Sequence, residues 1–178
     1  RRSSDLQELH ISGDAGMGKT HVAFNVFEKR IQANSPSMLI FAKDLRNRDP
    51  LFEQLKKNLM LNLPASWQPD DFFGALNIAG RIYRSQVPII IDGLNESLEW
   101  NHIWSDDLVN LIVLIKQKYP YLTLVTTYRT SYESQLFPKD YFTFENWQKK
   151  AYVRGFQGLT WDAIKTYFDF YKIKLTNH

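Results

Sequence analysis

Gly13-Asp14-Ala15-Gly16-Met17-Gly18-Lys19-Thr20 is the stretch that decides the fold. It matches the P-loop pattern, a phosphate-gripping turn that joins a buried strand to a helix. The flanks agree. Leu6, Leu9 and Ile11 make a short β-compatible run before it, and Val22, Ala23, Val26, Phe27 and Ile31 recur at helical spacing after it, predicting one apolar helix face. Gly13, Gly16 and Gly18 permit backbone turns that a Cβ obstructs, so successive N–H groups can converge on phosphate oxygens. In this pattern Lys19 reaches the β- and γ-phosphates and Thr20 places its hydroxyl on Mg²⁺, while the positive end of the following helix favours the anion. The expected nucleotide-binding set is Gly13, Asp14, Ala15, Gly16, Met17, Gly18, Lys19, Thr20 and His21, joined by Arg129 from further along the chain.

Working outward, the second anchor is Val87-Pro88-Ile89-Ile90-Ile91-Asp92-Gly93-Leu94-Asn95-Glu96. Its unbroken apolar run, rich in β-branched residues, predicts a strand buried on both faces, as a parallel sheet requires. The run ends in an acid. Downstream of a P-loop that is the Walker B arrangement, with Asp92 holding Mg²⁺ beside the Thr20 hydroxyl and Glu96 placed to act on an attacking water as general base. Residues 121–127 predict a further buried strand, with Tyr128-Arg129 at its exit. In P-loop folds that insert a strand between the two Walker strands, a polar residue at this exit faces the γ-phosphate, which makes Arg129 a candidate sensor.

The remaining chain supplies the layers. Residues 37–43 predict the second strand, followed by a polar loop over 44–50 that faces the ligand crevice. Leu51, Phe52, Leu55, Leu59 and Met60 make one helical stripe. Asp70 or Asp71 is placed to cap a second helix reaching about Arg84, with Phe72, Leu76, Ala79 and Tyr83 inward. Leu108, Leu111, Ile112 and Ile115 predict another helix, stopped before Tyr119-Pro120. Residues 151–156 read as a last strand, and Thr160 as the cap of an aromatic helix carrying Trp161, Ile164, Tyr167, Phe168 and Tyr171.

Composition narrows the classes. With 44% apolar and 15% aromatic residues in a chain of 178, a single folded globule is expected. The longest apolar run, 111–115, is far short of the ~18 residues of a membrane span. The opening Arg1-Arg2-Ser3-Ser4-Asp5 leads into no signal-peptide core, so the expected compartment is the cytoplasm. Zero cysteines remove disulfide scaffolds, thiolate zinc sites and thiol nucleophiles together. A net charge of +3, dispersed along the chain, does not indicate nucleic-acid binding.

The ordered set Gly13-x-x-Gly16-x-Gly18-Lys19-Thr20, Ile89-Ile90-Ile91-Asp92-Gly93-Leu94-Asn95-Glu96, Thr127-Tyr128-Arg129 and Val153-Arg154-Gly155-Phe156 resembles the STAND NTPases. It is most similar to the NACHT group and the bacterial antiviral STAND proteins. The resemblance covers about residues 6 to 172. It implies that Lys19 and Thr20 bind phosphate and Mg²⁺, Asp92 the metal, Glu96 the hydrolytic water and Arg129 the γ-phosphate. It also implies a switch, held closed by ADP, admitted to ATP by a sensed ligand, and oligomerising to activate an effector. Two positions depart from the family: Asn95, where many members carry a second acid, and Tyr128, where many carry a small residue.

The expected architecture is α/β, a three-layer P-loop NTPase fold with a parallel sheet of about five strands and the start of a helical lid. Residues 1–157 form the core and 158–178 begin a truncated helical domain. The expected function is an ATP-binding, slowly hydrolysing switch domain of a signalling or antiviral defence protein. Its expected partners are nucleotide and the effector and sensor domains of the same polypeptide, with homo-oligomers formed only by the full-length ATP-bound protein and no membrane partner. Three rivals share the motifs: an AAA-type motor or loader ATPase, a small-molecule kinase, and a non-catalytic nucleotide-binding scaffold. GTP is disfavoured because no Asn-Lys-x-Asp base-reading motif occurs.

Overall fold

A computed structural model of the chain describes residues 7–45, 50–58, 63–64, 66–97, 101–142 and 149–154. Five parallel strands, β1 (Glu8–Gly13), β2 (Met38–Phe41), β3 (Val87–Asp92), β4 (Leu122–Arg129) and β5 (Lys150–Tyr152), form one sheet in the order β2-β3-β4-β1-β5. The helices are α1 (Lys19–Gln32), α2 (Leu51–Asn58), α3 (Pro69–Tyr83), α4 (Asn101–Lys118) and the single turn α5 (Glu133–Leu136). β4 thus lies between β1 and β3, the inserted position expected of it. This is the α/β, parallel P-loop fold that the two anchor stretches predict.

The order dictates the layers. The chain leaves β1 in one direction along the sheet and makes every later crossover in the other. Right-handed connections therefore put α1 on one face and α2 to α5 on the opposite one. Period-two alternation sorts the strands accordingly. Val87, Ile89, Ile91, Leu122, Leu124 and Tyr128 join the large core with Leu55, Phe72, Phe73, Leu108 and Ile115. The α1 face carries Ile11 and Ile90 against Ala23. Burial of this kind contributes roughly 25 cal/mol per Å² of apolar surface, so the thicker α2–α5 face holds most of the stabilisation. Pro88 is tolerated in a central strand because Val87 N–H already donates to Tyr121 O at 2.8 Å on the β4 side. The missing proline N–H then faces β2, whose pairing begins only at Ile89.

Several expectations need correction. Val22, Val26 and Ile31 do not share α1's packed face; they are 38%, 44% and 49% exposed, while Ala23 is buried. Tyr83 is turned outward on α3, where Phe72, Phe73 and Gly80 are buried instead. The Gly80 Cα sits so close to the sheet that a Cβ there would lie 2.7 Å from Tyr121 Cβ. Asp71 stabilises the start of α3 from inside the first turn, accepting the Gln68 N–H at 2.8 Å, whereas Asp70 accepts from Lys118 Nζ and Tyr119 OH, both at 2.8 Å. β2 is shorter than expected, residues 42–44 turning into a 3₁₀ helix; β4 begins one residue later and ends two residues further on, at Arg129; and β5 starts at Lys150 and stops at Tyr152, before Val153. The boundary at 157/158, the helix after Thr160 and Leu59 and Met60 lie outside the described residues.

Charge is also buried at the start of the sheet. Glu8, 1% exposed, accepts from Lys116 Nζ, Lys149 Nζ and Tyr141 OH, each at 2.6 Å, and pairs with His10 Nε2 at 3.3 Å. Burial alone would raise the Glu8 carboxyl, but these hydrogen bonds reverse it and hold the group well below the usual carboxylate range. Since a carboxylate only accepts, His10 Nε2 carries the proton and Nδ1 accepts from Thr126 Oγ1 at 2.8 Å. This cluster fastens β1 to α4 and to the approach to β5, at the end of the sheet away from the P-loop.

Candidate functional site

The register places the motifs. Gly13 stands opposite Arg129 across the β1–β4 pair, and Ile91 stands opposite Thr126 across β3–β4, so Asp92 and Thr127 come level with each other. The P-loop, the Walker B acid and the candidate sensor therefore meet outside the carboxyl ends of adjacent strands. At the β1–β4 boundary the crossovers also change direction, which is where open α/β sheets form ligand crevices. A cavity of about 470 Å³ opens there, and its wall includes Gly16, Gly18, Lys19, Thr20, Glu96 and Arg129.

The loop itself depends on two left-handed glycines. Gly16 has φ 75° and Gly18 φ 84°, with no atom within 4 Å of a would-be Cβ at either, so conformation rather than space demands glycine. Gly18 is the N-cap of α1, and its carbonyl accepts the Val22 N–H at 3.0 Å. The first N–H groups of α1 are left pointing toward the cavity. Gly13 has a different reason. A Cβ there would lie 2.6 Å from Val153 O, because Val153 N–H donates to Ser12 O at 2.8 Å and brings the end of β5 against the loop. The expectation that all three glycines make room for a ligand is corrected at that position.

Lys19 folds over the loop, donating to Gly13 O at 2.8 Å and to Asp14 O at 2.7 Å. Burial, with the nearby Arg129 guanidinium, lowers its ammonium below the ordinary value, opposed by Asp14, Asp92 and Glu96. The crevice therefore gathers two cations and several acids, a pattern that an incoming polyanion with a divalent cation would balance.

Asp92 does not line the cavity. It is buried one step behind the wall, and its Oδ1 accepts from Thr127 Oγ1 at 2.5 Å; the same hydroxyl oxygen accepts the Gly93 N–H at 2.9 Å. Gly93 then turns with φ 72° into the 3₁₀ turn 94–96, which brings the Glu96 carboxylate over it, and a Cβ on Gly93 would lie 3.2 Å from Glu96 Oε2. That turn is braced from both sides. Asn95 Oδ1 accepts the Arg129 N–H at 2.8 Å, and Ser97 Oγ donates to Leu94 O at 3.0 Å while accepting Trp104 Nε1–H at 2.5 Å. Tyr128 belongs to the other face of the sheet, fully buried with its hydroxyl on Glu133 at 3.0 Å, so its bulk stays out of the crevice.

Of the expected nucleotide set, Ala15, Gly16, Met17, Gly18, Lys19, Thr20, His21 and Arg129 share the cavity wall with Glu96. Gly13 lies beneath the loop. Asp14 is exposed beside Tyr152, whose hydroxyl approaches it at 3.4 Å. Thr127, Asn95 and Phe24 had no assigned role, although all three line the cavity. For Thr127 the signal was alternation, which puts 127 and 129 on one face and 128 on the other. Asp92 and Thr20 offer carboxylate and hydroxyl oxygens, a donor set suited to Mg²⁺ when phosphate and water complete the shell. No group of three or more His, Cys, Asp or Glu side chains is gathered for a metal among the described residues.

The Thr127 bridge makes a sharp expectation. Thr127→Val keeps the shape but leaves the buried Gly93 N–H without its acceptor, a loss of about 1–3 kcal/mol, or roughly 2–12 °C in melting temperature for a chain of this size. Thr127→Ser should melt like the parent. Equal melting of the valine variant in calorimetry would show that the bridge adds nothing.

No protein-family model matches the chain, and no curated protein matches its sequence. Solved structures match its fold. The Walker-type ATPase PABY2304 of Pyrococcus abyssi superposes with a TM-score of 0.58 at 12% identity, covering 97% of this chain and 56% of that one. The ORC2 protein of Aeropyrum pernix, in ADPNP–ADP complexes, gives 0.56 at 13%, covering 92% and 46%. DnaA of Aquifex aeolicus bound to AMPPCP gives 0.57 at 12%, covering 98% and 49%. The chain spans about half the length of these structures. The shared fold is that of the P-loop ATPases. No helix among the described residues is long and apolar enough to cross a membrane.

Proposed function

We propose that the chain is the ATP-binding and slowly hydrolysing switch domain of a longer STAND-type, NACHT-like signalling or antiviral defence protein. One observation carries the nucleotide part: the P-loop, the Asp92–Thr127–Gly93 bridge, Glu96 and Arg129 converge on a single crevice at the β1–β4 boundary. The Asp-Gly-Leu-Asn-Glu run with Thr127 and Arg129 supports the STAND part, and the match to only about half of each neighbour supports a longer polypeptide.

Each residue has a task in this reading. The N–H groups of residues 16–20 and the Lys19 ammonium grip the phosphates, releasing Lys19 from the loop carbonyls as they do so. Thr20 and Asp92 would hold Mg²⁺, which supplies charge neutralisation at the β- and γ-phosphates. Arg129 is placed to meet charge that develops on the γ-phosphate, and Glu96 to accept a proton from the attacking water. Since Asn95 holds the Arg129 backbone, movement at the γ-phosphate is felt in the turn that carries Glu96. In this proposal ADP and ATP states differ in that linkage, and the ATP state of the longer protein oligomerises through its further domains to activate an effector in the cytoplasm.

The neighbours also admit an AAA-type loader. Phosphate release from MgATP, with molar mass by light scattering, separates the two. The switch reading expects turnover at or below about 1 s⁻¹, the low end for enzymes, no change on adding DNA, and ATP-dependent assembly only in the longer polypeptide. DNA-stimulated turnover with a defined ATP-dependent oligomer of this chain alone would establish the loader instead.

A further inference from the structure

The cavity continues past the P-loop. It runs along α1 beyond His21 to Phe24, a residue that is 45% exposed and carries the only phenyl ring on the wall among the described residues. Helix geometry explains how it gets there. Ala23 is buried against the sheet, and Phe24, rotated by about 100° from it, turns off the sheet along the flank of the helix. From Lys19 to Phe24 is five residues, about 7.5 Å along the axis. That is the scale on which a nucleoside triphosphate held at its β-phosphate by Lys19 extends across its ribose.

The two ends of the cavity differ in chemistry. Lys19, Glu96 and Arg129 make one end ionic, beneath the exits of β3 and β4. Phe24 makes the other apolar. A large apolar side chain left half in water forgoes stabilisation it would gain in the core, unless a flat ligand covers it. Resting on the nucleotide reading above, we propose that Phe24 is the stacking platform for the base of the bound nucleotide. It recognises the ring by its face, so that purines, with the larger ring area, bind more tightly than pyrimidines.

The proposal separates base from phosphate, and so does its test. MgATP, MgCTP and magnesium tripolyphosphate are titrated calorimetrically into the parent, Phe24→Ala and Phe24→Trp, with melting curves for all three proteins. The parent should bind MgATP most tightly. Stacking on an aromatic side chain is worth about 1–3 kcal/mol by alanine substitution, so Phe24→Ala should lose roughly 5- to 150-fold in MgATP affinity. Its affinity for tripolyphosphate should stay within about twofold, and Phe24→Trp should bind MgATP at least as well as the parent. Unchanged MgATP affinity in the alanine variant, or an equal loss for tripolyphosphate, would overturn the platform and leave Phe24 as part of the exposed apolar flank with Val22 and Val26. A parent that binds ATP and tripolyphosphate equally rejects the platform but keeps the phosphate site. A parent that binds neither overturns the nucleotide reading as well.

Discussion

Lys19→Ala should abolish measurable binding of MgATP while the protein still melts cooperatively. The lysine already makes two short charge-assisted hydrogen bonds to the Gly13 and Asp14 carbonyls, which shows that its ammonium lies over the loop and within reach of whatever the loop holds. Each charge-assisted hydrogen bond contributes about 1.5–3 kcal/mol. Losing two of them to phosphate corresponds to roughly 10²–10⁴ in affinity. The effect on folding should be small, because Lys19 is only half-buried and its charge is disfavoured by burial and by Arg129. Removing it relieves that cost; the exposed Asp14 carbonyl then turns to water, and only the less exposed Gly13 carbonyl loses a partner. Titration calorimetry of MgATP alongside a thermal melt gives both readings. Retained affinity would mean that the phosphates are held elsewhere than on this loop.

What was legible in the sequence follows from locality. A strand inside a parallel sheet is buried on both faces, so Ile89-Ile90-Ile91 declares itself by composition, and a P-loop declares itself by spacing. The packed face of α1 is not legible in its sequence because the apolar residues, Val22, Ala23, Phe24, Val26, Phe27 and Ile31, spread over a broad arc of the helix. Periodicity cannot say which strip meets the sheet, and the fold chose the narrow one around Ala23 and left Val22, Phe24, Val26 and Ile31 outside. Tyr83 was misread for a related reason. Close helix–sheet approach at Gly80 fixes the packed face of α3, and its tightest contact is made by Tyr121, forty-one residues on, with Ser85 and Val87 behind it. Gly13 was assigned to a ligand, although the end of β5, more than a hundred residues away, is what leaves it no room for a side chain. The Asn95–Arg129 and Asp92–Thr127 bonds and the Glu8 cluster likewise join distant segments, and only strand register brings those residues level.

That register also makes Glu96→Gln the more informative of the acid substitutions. Asp92 is bonded to Thr127, so its removal disturbs the strand ends as well as any metal. Glu96 is different, for its position is set by its backbone. Glu96 N–H donates to Gly93 O at 2.7 Å, and the turn is braced by Ser97, Trp104 and the Asn95–Arg129 bond. Among the described residues its side chain makes no hydrogen bond or ion pair, so the carboxylate on the cavity wall is available to a water. Glutamine has the same shape and still hydrogen-bonds that water, yet it cannot take its proton. It also removes one negative charge near Lys19 and the phosphates, so MgATP should bind as tightly as to the parent or somewhat more tightly. Hydrolysis should fall by about 10²–10⁴, the usual worth of a general base. Single-turnover phosphate release with saturating protein isolates the chemical step from binding and product release. A variant that hydrolyses MgATP like the parent would move the base to another residue. A variant that also loses affinity would show Glu96 to be part of the binding surface, because the braces on its turn remain intact when only the carboxylate is changed.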